Sequence, residues 1–371
     1  MDLSDDFAAR YDGRPTVIGS GPGRVNLIGE HLDYNGGRCL PIALAYRTEV
    51  AAAPRDDGRI AVETRQHDGR VVVEVAELDT PVEGWAGYVL GVVWALGLAG
   101  SGLSLLVDGR VPVGAGLSSS AALECATAMA VCEVAGVERS REDIVAASVR
   151  AENEYVGAAT GSMDQTVAMF AEAGQALLID FASDSKRLLP WNPPGDLVVV
   201  DTRASHELVG GEYADRRRSC EAAAAELGLE WLVEATADRV ETLGDPVARR
   251  RARHVVTETT RVTDAVAAIE ARDWEELGRL MTASHASLRD DYEVSCRELD
   301  VAVDAALAAG AWGARMTGGG FGGSAIALVP PGGADDVRGA VTAAYDAEGL
   351  RAPEFLDGAA GGPAEVSRPG R

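Results

Sequence analysis

Apolar and polar positions alternate over short stretches in the first third of the chain and recur at helical spacing through much of the rest. Thr16 to Ser20 reads as a strand. Between residues 41 and 82 three β-rich runs follow: Thr48 to Ala53, Arg59 to Thr64 and Arg70 to Leu78. Turns at Pro54-Arg55-Asp56-Asp57-Gly58 and His67-Asp68-Gly69 part them, and together they predict an antiparallel sheet. Gly84 to Leu98 predicts a helix carrying Trp85, Tyr88 and Trp94, Leu103 to Val107 a strand, and Ala121 to Val134 an alanine-rich helix. Ser140-Arg141-Glu142-Asp143 is a capping box that opens a helix running to about Val156. A loop from Gly157 to Ser162 leads to Met163-Asp164-Gln165 and a short apolar helix. Gln175 to Phe181 and Leu197 to Thr202 are strand-like, residues 212–309 are helical, and Ser324 to Val329 is a strand. The tail from Asp357, rich in Gly, Pro and Ala, is expected to be mobile. No internal repeat is visible.

Three glycine-rich stretches interrupt this pattern. The first is Gly21-Pro22-Gly23-Arg24-Val25-Asn26-Leu27-Ile28-Gly29-Glu30-His31-Leu32-Asp33-Tyr34-Asn35-Gly36-Gly37, whose density of glycine and ionisable side chains makes poor core and points to a site. The second, Val113-Gly114-Ala115-Gly116-Leu117-Ser118-Ser119-Ser120-Ala121-Ala122-Leu123, lies between a strand and a helix. Its small residues let backbone amides approach an anion at a helix N-terminus, while its hydroxyls can cap the helix or meet a metal. It reads as a phosphate cradle, although it lacks the spacing and the lysine of a P-loop. An ordinary capped helix after a glycine turn is the competing reading. The third, Gly318-Gly319-Gly320-Phe321-Gly322-Gly323, has the letters of a dinucleotide fingerprint, but a strand follows it where that fingerprint needs a helix. It reads either as a hairpin turn or as a second loop facing the phosphate cradle.

Composition narrows the partners. The 371 residues suggest two lobes, divided near residue 184 into 1–184 and 185–371. With 58 acidic against 34 basic residues the net charge is -24, which disfavours nucleic acid and anionic membranes. Lys186 is the sole lysine, so a phosphate site must rest mainly on amides, arginine and metal. The cysteines Cys39, Cys125, Cys132, Cys220 and Cys296 are scattered and odd in number, as expected of reduced thiols in a cytoplasmic protein. The amino terminus lacks the basic and apolar parts of a signal peptide, and the longest apolar run, Tyr88 to Ala99, is too short to span a bilayer.

Taken together, the Gly-Arg-Val-Asn-Leu-Ile-Gly-Glu-His, Gly-Leu-Ser-Ser-Ser-Ala-Ala and Thr-Gly-Gly-Gly-Phe-Gly-Gly motifs resemble those of the GHMP small-molecule kinases. The first, extended through Asp33-Tyr34-Asn35-Gly36-Gly37, resembles the signature of the galactokinase branch. The likeness also takes in Gly161-Ser162-Met163-Asp164-Gln165 and Gly211-Glu212-Tyr213 with Arg216-Arg217-Arg218, and spans about residues 16–330. It implies a two-lobed α/β (α+β) fold of mixed sheets and helices with the active site in the interlobe cleft. It also implies ATP with Mg²⁺ as cofactors, galactose as the sugar phosphorylated at its anomeric hydroxyl, and a monomer.

The resemblance assigns roles residue by residue. Gly114, Ala115, Gly116, Leu117, Ser118, Ser119 and Ser120 would hold the triphosphate, and Ser120 with Glu152 would bind magnesium. Asp164 would take or orient the proton of the sugar hydroxyl, with Arg24 beside it keeping the carboxylate ionised and steadying the transferring phosphoryl. Glu30, His31, Leu32, Asp33, Asp164 and Tyr213 would contact the sugar. Carboxylates that accept and an imidazole that donates suit a polyol. Trp85 and Tyr88 are candidates for the adenine, against the alternative of ordinary core aromatics. Leu32 stands where galactokinases commonly carry threonine, so specificity depends on whether that side chain or only its backbone meets the sugar. The competing functions are a kinase for another sugar, such as N-acetylgalactosamine or arabinose, and a non-catalytic sugar sensor. No catalytic part is missing from the sequence.

Overall fold

The structure, a computed structural model, describes residues 2–158, 160–204 and 209–369. Ala159, in the expected loop, and the last two residues of the expected tail lie outside them. Among the described residues thirteen strands are formed: β1 (Val17–Asn26), β2 (Arg38–Cys39), β3 (Pro41–Pro54), β4 (Arg59–Thr64), β5 (Arg70–Glu74), β6 (Gly102–Gly109), β7 (Gln175–Asp180), β8 (Ser185–Pro190), β9 (Asp196–Asp201), β10 (Gly313–Thr317), β11 (Ser324–Val329), β12 (Glu354–Asp357) and β13 (Glu365–Ser367). The helices are α1 (Leu3–Tyr11), α2 (Trp85–Leu96), α3 (Ser119–Ala135), α4 (Arg141–Arg150), α5 (Met163–Phe170), α6 (Val209–Leu227), α7 (Ala237–Val240), α8 (Pro246–Ala271), α9 (Trp274–Asp290), α10 (Arg297–Ala308) and α11 (Ala334–Glu348).

Three sheets organise these elements: β13-β1-β3-β6-β4-β5, β10-β11-β9-β12 and β2-β7-β8. The first sheet is mixed, which corrects the antiparallel reading of the early strands. β5 returns against β4, and α2 then crosses over so that β6 enters beside β4 in the same direction. One apolar core packs α2, α3 and α4 on this sheet through Leu90, Ala126, Val131 and Ile144. A larger one joins Val25 and Leu40 of the first half to Val199, Leu277 and Val337 of the second.

The seating of α3 is dictated by two glycines of β1. A Cβ on Gly19 would lie 2.1 Å from Ala126 O, and one on Gly21 would lie 2.3 Å from Ala122 O. Glycine facing alanine therefore brings the helix backbone onto the strand, which explains a helix so rich in alanine. Further along, β1 runs past its expected end at Ser20 to Asn26. Its pairing with β3 is irregular between Pro22 and Arg24, and the Arg24 N–H is free to bond Leu117 O at 3.1 Å. A bulge of this kind re-aims a side chain, and here the side chain is Arg24.

Two other expectations change. The helix opened by the Ser140 capping box ends as an α-helix at Arg150 and continues as a π-helical turn over Ala151–Val156. The stretch after Asp357 is tied down rather than mobile: β13 pairs with β1 through Ile18↔Ser367, Gly19↔Val366 and Ser20↔Glu365. Backbone hydrogen bonds to an otherwise open sheet edge outweigh its loose composition. Residue 184 lies in the turn between β7 and β8, which pair along their whole length, and β13 brings the end of the chain back to the first sheet.

Candidate active site

The three glycine-rich stretches converge on one cleft. Its cavity of about 430 Å³ is lined by Arg24, Glu30, His31 and Asp33 from the first, Gly318 and Gly319 from the third, and Glu152, Thr160, Gly161, Asp164 and Tyr213 from segments between them. The second stretch lies against the third. A Cβ on Gly318 would lie 2.8 Å from Gly116 O, so the two loops touch. Residues 318–323 are thus both the turn of the β10–β11 hairpin and a loop facing the second glycine-rich stretch.

At the centre, Arg24 and Asp164 form a two-pronged ion pair. Arg24 Nε and Nη2 donate to Asp164 Oδ1 and Oδ2 at 2.7 and 2.8 Å, and Nη1 donates to Gly116 O at 2.7 Å. Arg24 is buried, whereas the Asp164 side chain keeps 28% exposure, so the carboxylate is open to a ligand in the cleft. Burial works against the guanidinium charge, but Asp164 and Glu30 more than offset it and hold Arg24 firmly protonated. The Ser118 hydroxyl donates to Asp164 Oδ2 and makes no cap for α3. A serine cap, one of the two roles open to these hydroxyls, is therefore absent at Ser118, whose hydroxyl is spent on the aspartate.

The cradle's carbonyls are also engaged: Ala115 O accepts from Ser324 Oγ at 2.7 Å, and Leu117 O from Arg24 N. Positive φ at Gly114, Gly116 and Ser118 turns the backbone tightly ahead of α3, so the start of that helix, with its positive dipole end, faces the loop. Beside it a second cavity of about 200 Å³ is lined by Trp85, Tyr88, Val113, Ser119, Ser120 and Leu123 among others. Trp85 and Tyr88 thus sit next to the cradle.

Glu152 is buried in the π-helical turn. Its Oε1 accepts from Ser120 Oγ at 3.0 Å, and its Oε2 from Thr160 Oγ1 at 2.8 Å and Gln165 Nε2 at 2.7 Å. Burial raises its proton affinity, and these hydrogen bonds oppose the rise. Gln165 also donates to Glu124, a fully buried carboxyl held well above the usual range first by burial and then by Glu152. Among the described residues no group of three or more His, Cys, Asp or Glu could hold a metal unaided.

On the opposite wall Glu30 is buried, accepting from Asn26 Nδ2 and the Gly318 N–H, and burial pushes its carboxyl up to about 7 despite Arg315. Burial likewise lifts Asp33 to about 6, helped by Asp164. Asp33 packs so closely on residue 161 that a Cβ there would lie 1.8 Å from Oδ2, which requires glycine. His31 adopts φ 63°, and burial, with nearby His254, lowers it to about 3, so its ring is neutral. Its Nδ1 is 2.8 Å from Tyr34 OH, and the Tyr213 ring lies 5.4 Å away. Leu32 is the one expected sugar residue that the structure does not bring to the cleft. Its side chain is fully buried in the core, against Gly37.

Sequence reasoning gave no role to Asn26, although it lies within the first motif, and missed Thr160 and Arg315, which belong to none of the quoted motifs. It also left Gln165 without a role, although that residue adjoins Asp164. Fully buried Arg315, 3.7 Å from Glu30, had no signal in the sequence.

Comparison with known proteins places this architecture. The galactokinase galactose-binding signature matches residues 5–54, the GHMP kinase N-terminal domain residues 87–172 and the GHMP kinase C-terminal domain residues 265–347. The galactokinase of Streptomyces coelicolor is 44% identical over 96% of this chain and 95% of its own. That of Bos taurus is 42% identical over 87% and 86%. A crystal structure of Lactococcus lactis galactokinase complexed with galactose superposes with a TM-score of 0.94 at 31% identity, covering 98% of both chains. The mevalonate kinase of Methanococcus jannaschii shares the fold, with a TM-score of 0.64 at 18% identity, over 93% of this chain and 98% of that one. The chain belongs to the GHMP kinases and, within them, to the galactokinase family.

Proposed function

We propose that the protein transfers the γ-phosphoryl group of ATP to the anomeric hydroxyl of galactose, giving galactose 1-phosphate and ADP. The observation that carries this reading is the Arg24–Asp164 pair, set in one cleft between a phosphate cradle and a wall of Glu30, His31 and Asp33. The wall offers acceptors and a neutral imidazole to vicinal hydroxyls, the pattern a polyol requires.

In this reading the start of α3 and the loop from Gly114 to Ser120 receive the phosphates, while Trp85 and Tyr88 flank the adenine. Asp164 orients the anomeric hydroxyl and takes its proton as the new P–O bond forms. Gripped at both oxygens by Arg24, it is a weak base, which suits a loose transition state in which the proton leaves late. Arg24 aligns the carboxylate and adds positive charge beside the transferring group.

The donor set fits magnesium. Ser120 Oγ and Glu152 Oε1 are 3.0 Å apart, which is about the separation of adjacent oxygens around an octahedral ion with bonds of about 2.1 Å. With one carboxylate and one hydroxyl, the ion would keep waters and nucleotide phosphates as its other ligands, and it would neutralise charge developing on the β- and γ-oxygens. We read the acting unit as a monomer in the cytoplasm. Five free thiols and a net charge of -24 support that setting.

An ADP-release assay against galactose, glucose, arabinose, N-acetylgalactosamine, mevalonate and homoserine tests the proposal. Turnover on galactose above all others is expected. Turnover confined to another sugar would move the specificity, and none at all would favour the sensor.

A further inference from the structure

We propose that Gln165, anchored by Glu124 and assisted by Thr160, is a positioning residue that leaves Glu152 a single oxygen for a divalent cation and thereby favours magnesium over calcium. The inference rests on the assignment of Ser120 and Glu152 to that cation.

The two oxygens of Glu152 are treated differently by the fold. Oε1 faces Ser120 Oγ, whereas Oε2 accepts from both Thr160 Oγ1 and Gln165 Nε2. A carboxylate oxygen offers two lone-pair sites, so Oε2 is filled by protein donors. Gln165 is fully buried, and its second amide hydrogen goes to Glu124 Oε2 at 2.9 Å. Its nitrogen therefore lies between two carboxyl groups. Turning the amide over would set its oxygen against Glu152 Oε2, itself an acceptor, so the orientation is held. Glu124 lies one turn beyond Ser120 on α3, and Gln165 follows Asp164 on α5. One amide thus ties the helix bearing the hydroxyl ligand, the π-helical turn bearing Glu152 and the helix bearing Asp164.

Calcium takes six to eight oxygens and readily binds a carboxylate through both, whereas magnesium is satisfied by one oxygen per carboxylate in a strict octahedron. Two-oxygen binding by Glu152 would require Oε2 to give up two buried hydrogen bonds. The clamp penalises that geometry and holds Glu152 oriented for the one-oxygen geometry.

The test measures Mn²⁺ bound to the enzyme with ADP by electron paramagnetic resonance, and its displacement by Mg²⁺ and Ca²⁺. Gln165→Leu is expected to weaken Mg²⁺ by about 10–100-fold and Ca²⁺ by less, moving the Mg²⁺ to Ca²⁺ preference toward calcium. Thr160→Val, at a partly exposed loop position, should shift the ratio the same way and decides the matter if the buried variant fails to fold. Folded variants that keep the wild-type ratio would overturn the clamp. Ser120→Ala and Glu152→Gln are the control for the underlying site. If both retain Mn²⁺ binding, the cation assignment itself fails; if both lose it while the ratio stays fixed in Gln165→Leu and Thr160→Val, only the clamp fails.

Discussion

Asp164 shows how much a single carboxylate depends on its holders. Arg24 grips both oxygens and Ser118 adds a hydroxyl, so the geometry survives loss of charge better than loss of the side chain. Asp164→Asn should therefore leave ATP binding intact and lower kcat by roughly 10²–10⁴-fold; near-normal turnover would remove the residue from the chemistry. Arg24→Ala should reduce kcat more than it weakens the sugar, and steady-state kinetics separates the two. Asp33 makes a pH-dependent case. Its carboxyl is raised to about 6 by burial and by Asp164, so the native state holds this proton more tightly than the unfolded chain does. Its contribution to stability is consequently lost as pH rises from the ordinary aspartate value through about 6. Asp33→Asn should raise Tm above pH 6 and not at pH 4. With Asp33 as the proposed sugar acceptor, galactose affinity should fall as the wild-type protein is acidified through the same region. Calorimetric titration at pH 5 and pH 8 checks the second statement, and equal affinities would contradict it. Leu32, buried away from the cleft, should tolerate Leu32→Thr with no change in sugar preference.

Elements matter here through close approach. α3 lies on β1 because Gly19 and Gly21 remove the side chains that would hold it off. Gly19→Ala must push the helix or the strand, and the cradle at the start of α3 moves with it. Such overpacking costs about 1–3 kcal/mol; urea unfolding should show that loss together with a raised KM for ATP. Unchanged stability would mean that the helix can shift freely. The π-helical turn at Ala151–Val156 is the second device at this scale, since it carries Glu152 out of the α-helical register and under Thr160 and Gln165. Periodicity predicts the helix but not the widened turn, because six positions are too few for a change of period to show in the apolar pattern.

At the scale of the whole molecule, the chain closes on itself. β13 covers the edge of β1, the strand that carries Arg24. Deleting residues from Glu365 onward exposes a row of unpaired backbone groups, which invites association; a lower Tm and concentration-dependent light scattering are expected, and a monodisperse truncated protein with wild-type Tm would refute that role. The sequence by itself determined most helices and most strands and the three glycine-rich stretches, and it singled out Arg24, Asp164, Glu30, His31, Asp33, Ser120 and Glu152 as candidates, because local periodicity, turn chemistry and motif spacing are written in neighbouring residues. Tertiary structure alone decided the parallel pairing of β4 with β6, the docking of the tail, the withdrawal of Leu32 into the core, and the placing of Arg315 behind Glu30 and of Gln165 between Glu124 and Glu152. Each of these depends on residues far apart in the chain, whose burial and hydrogen bonding exist only once the lobes have packed.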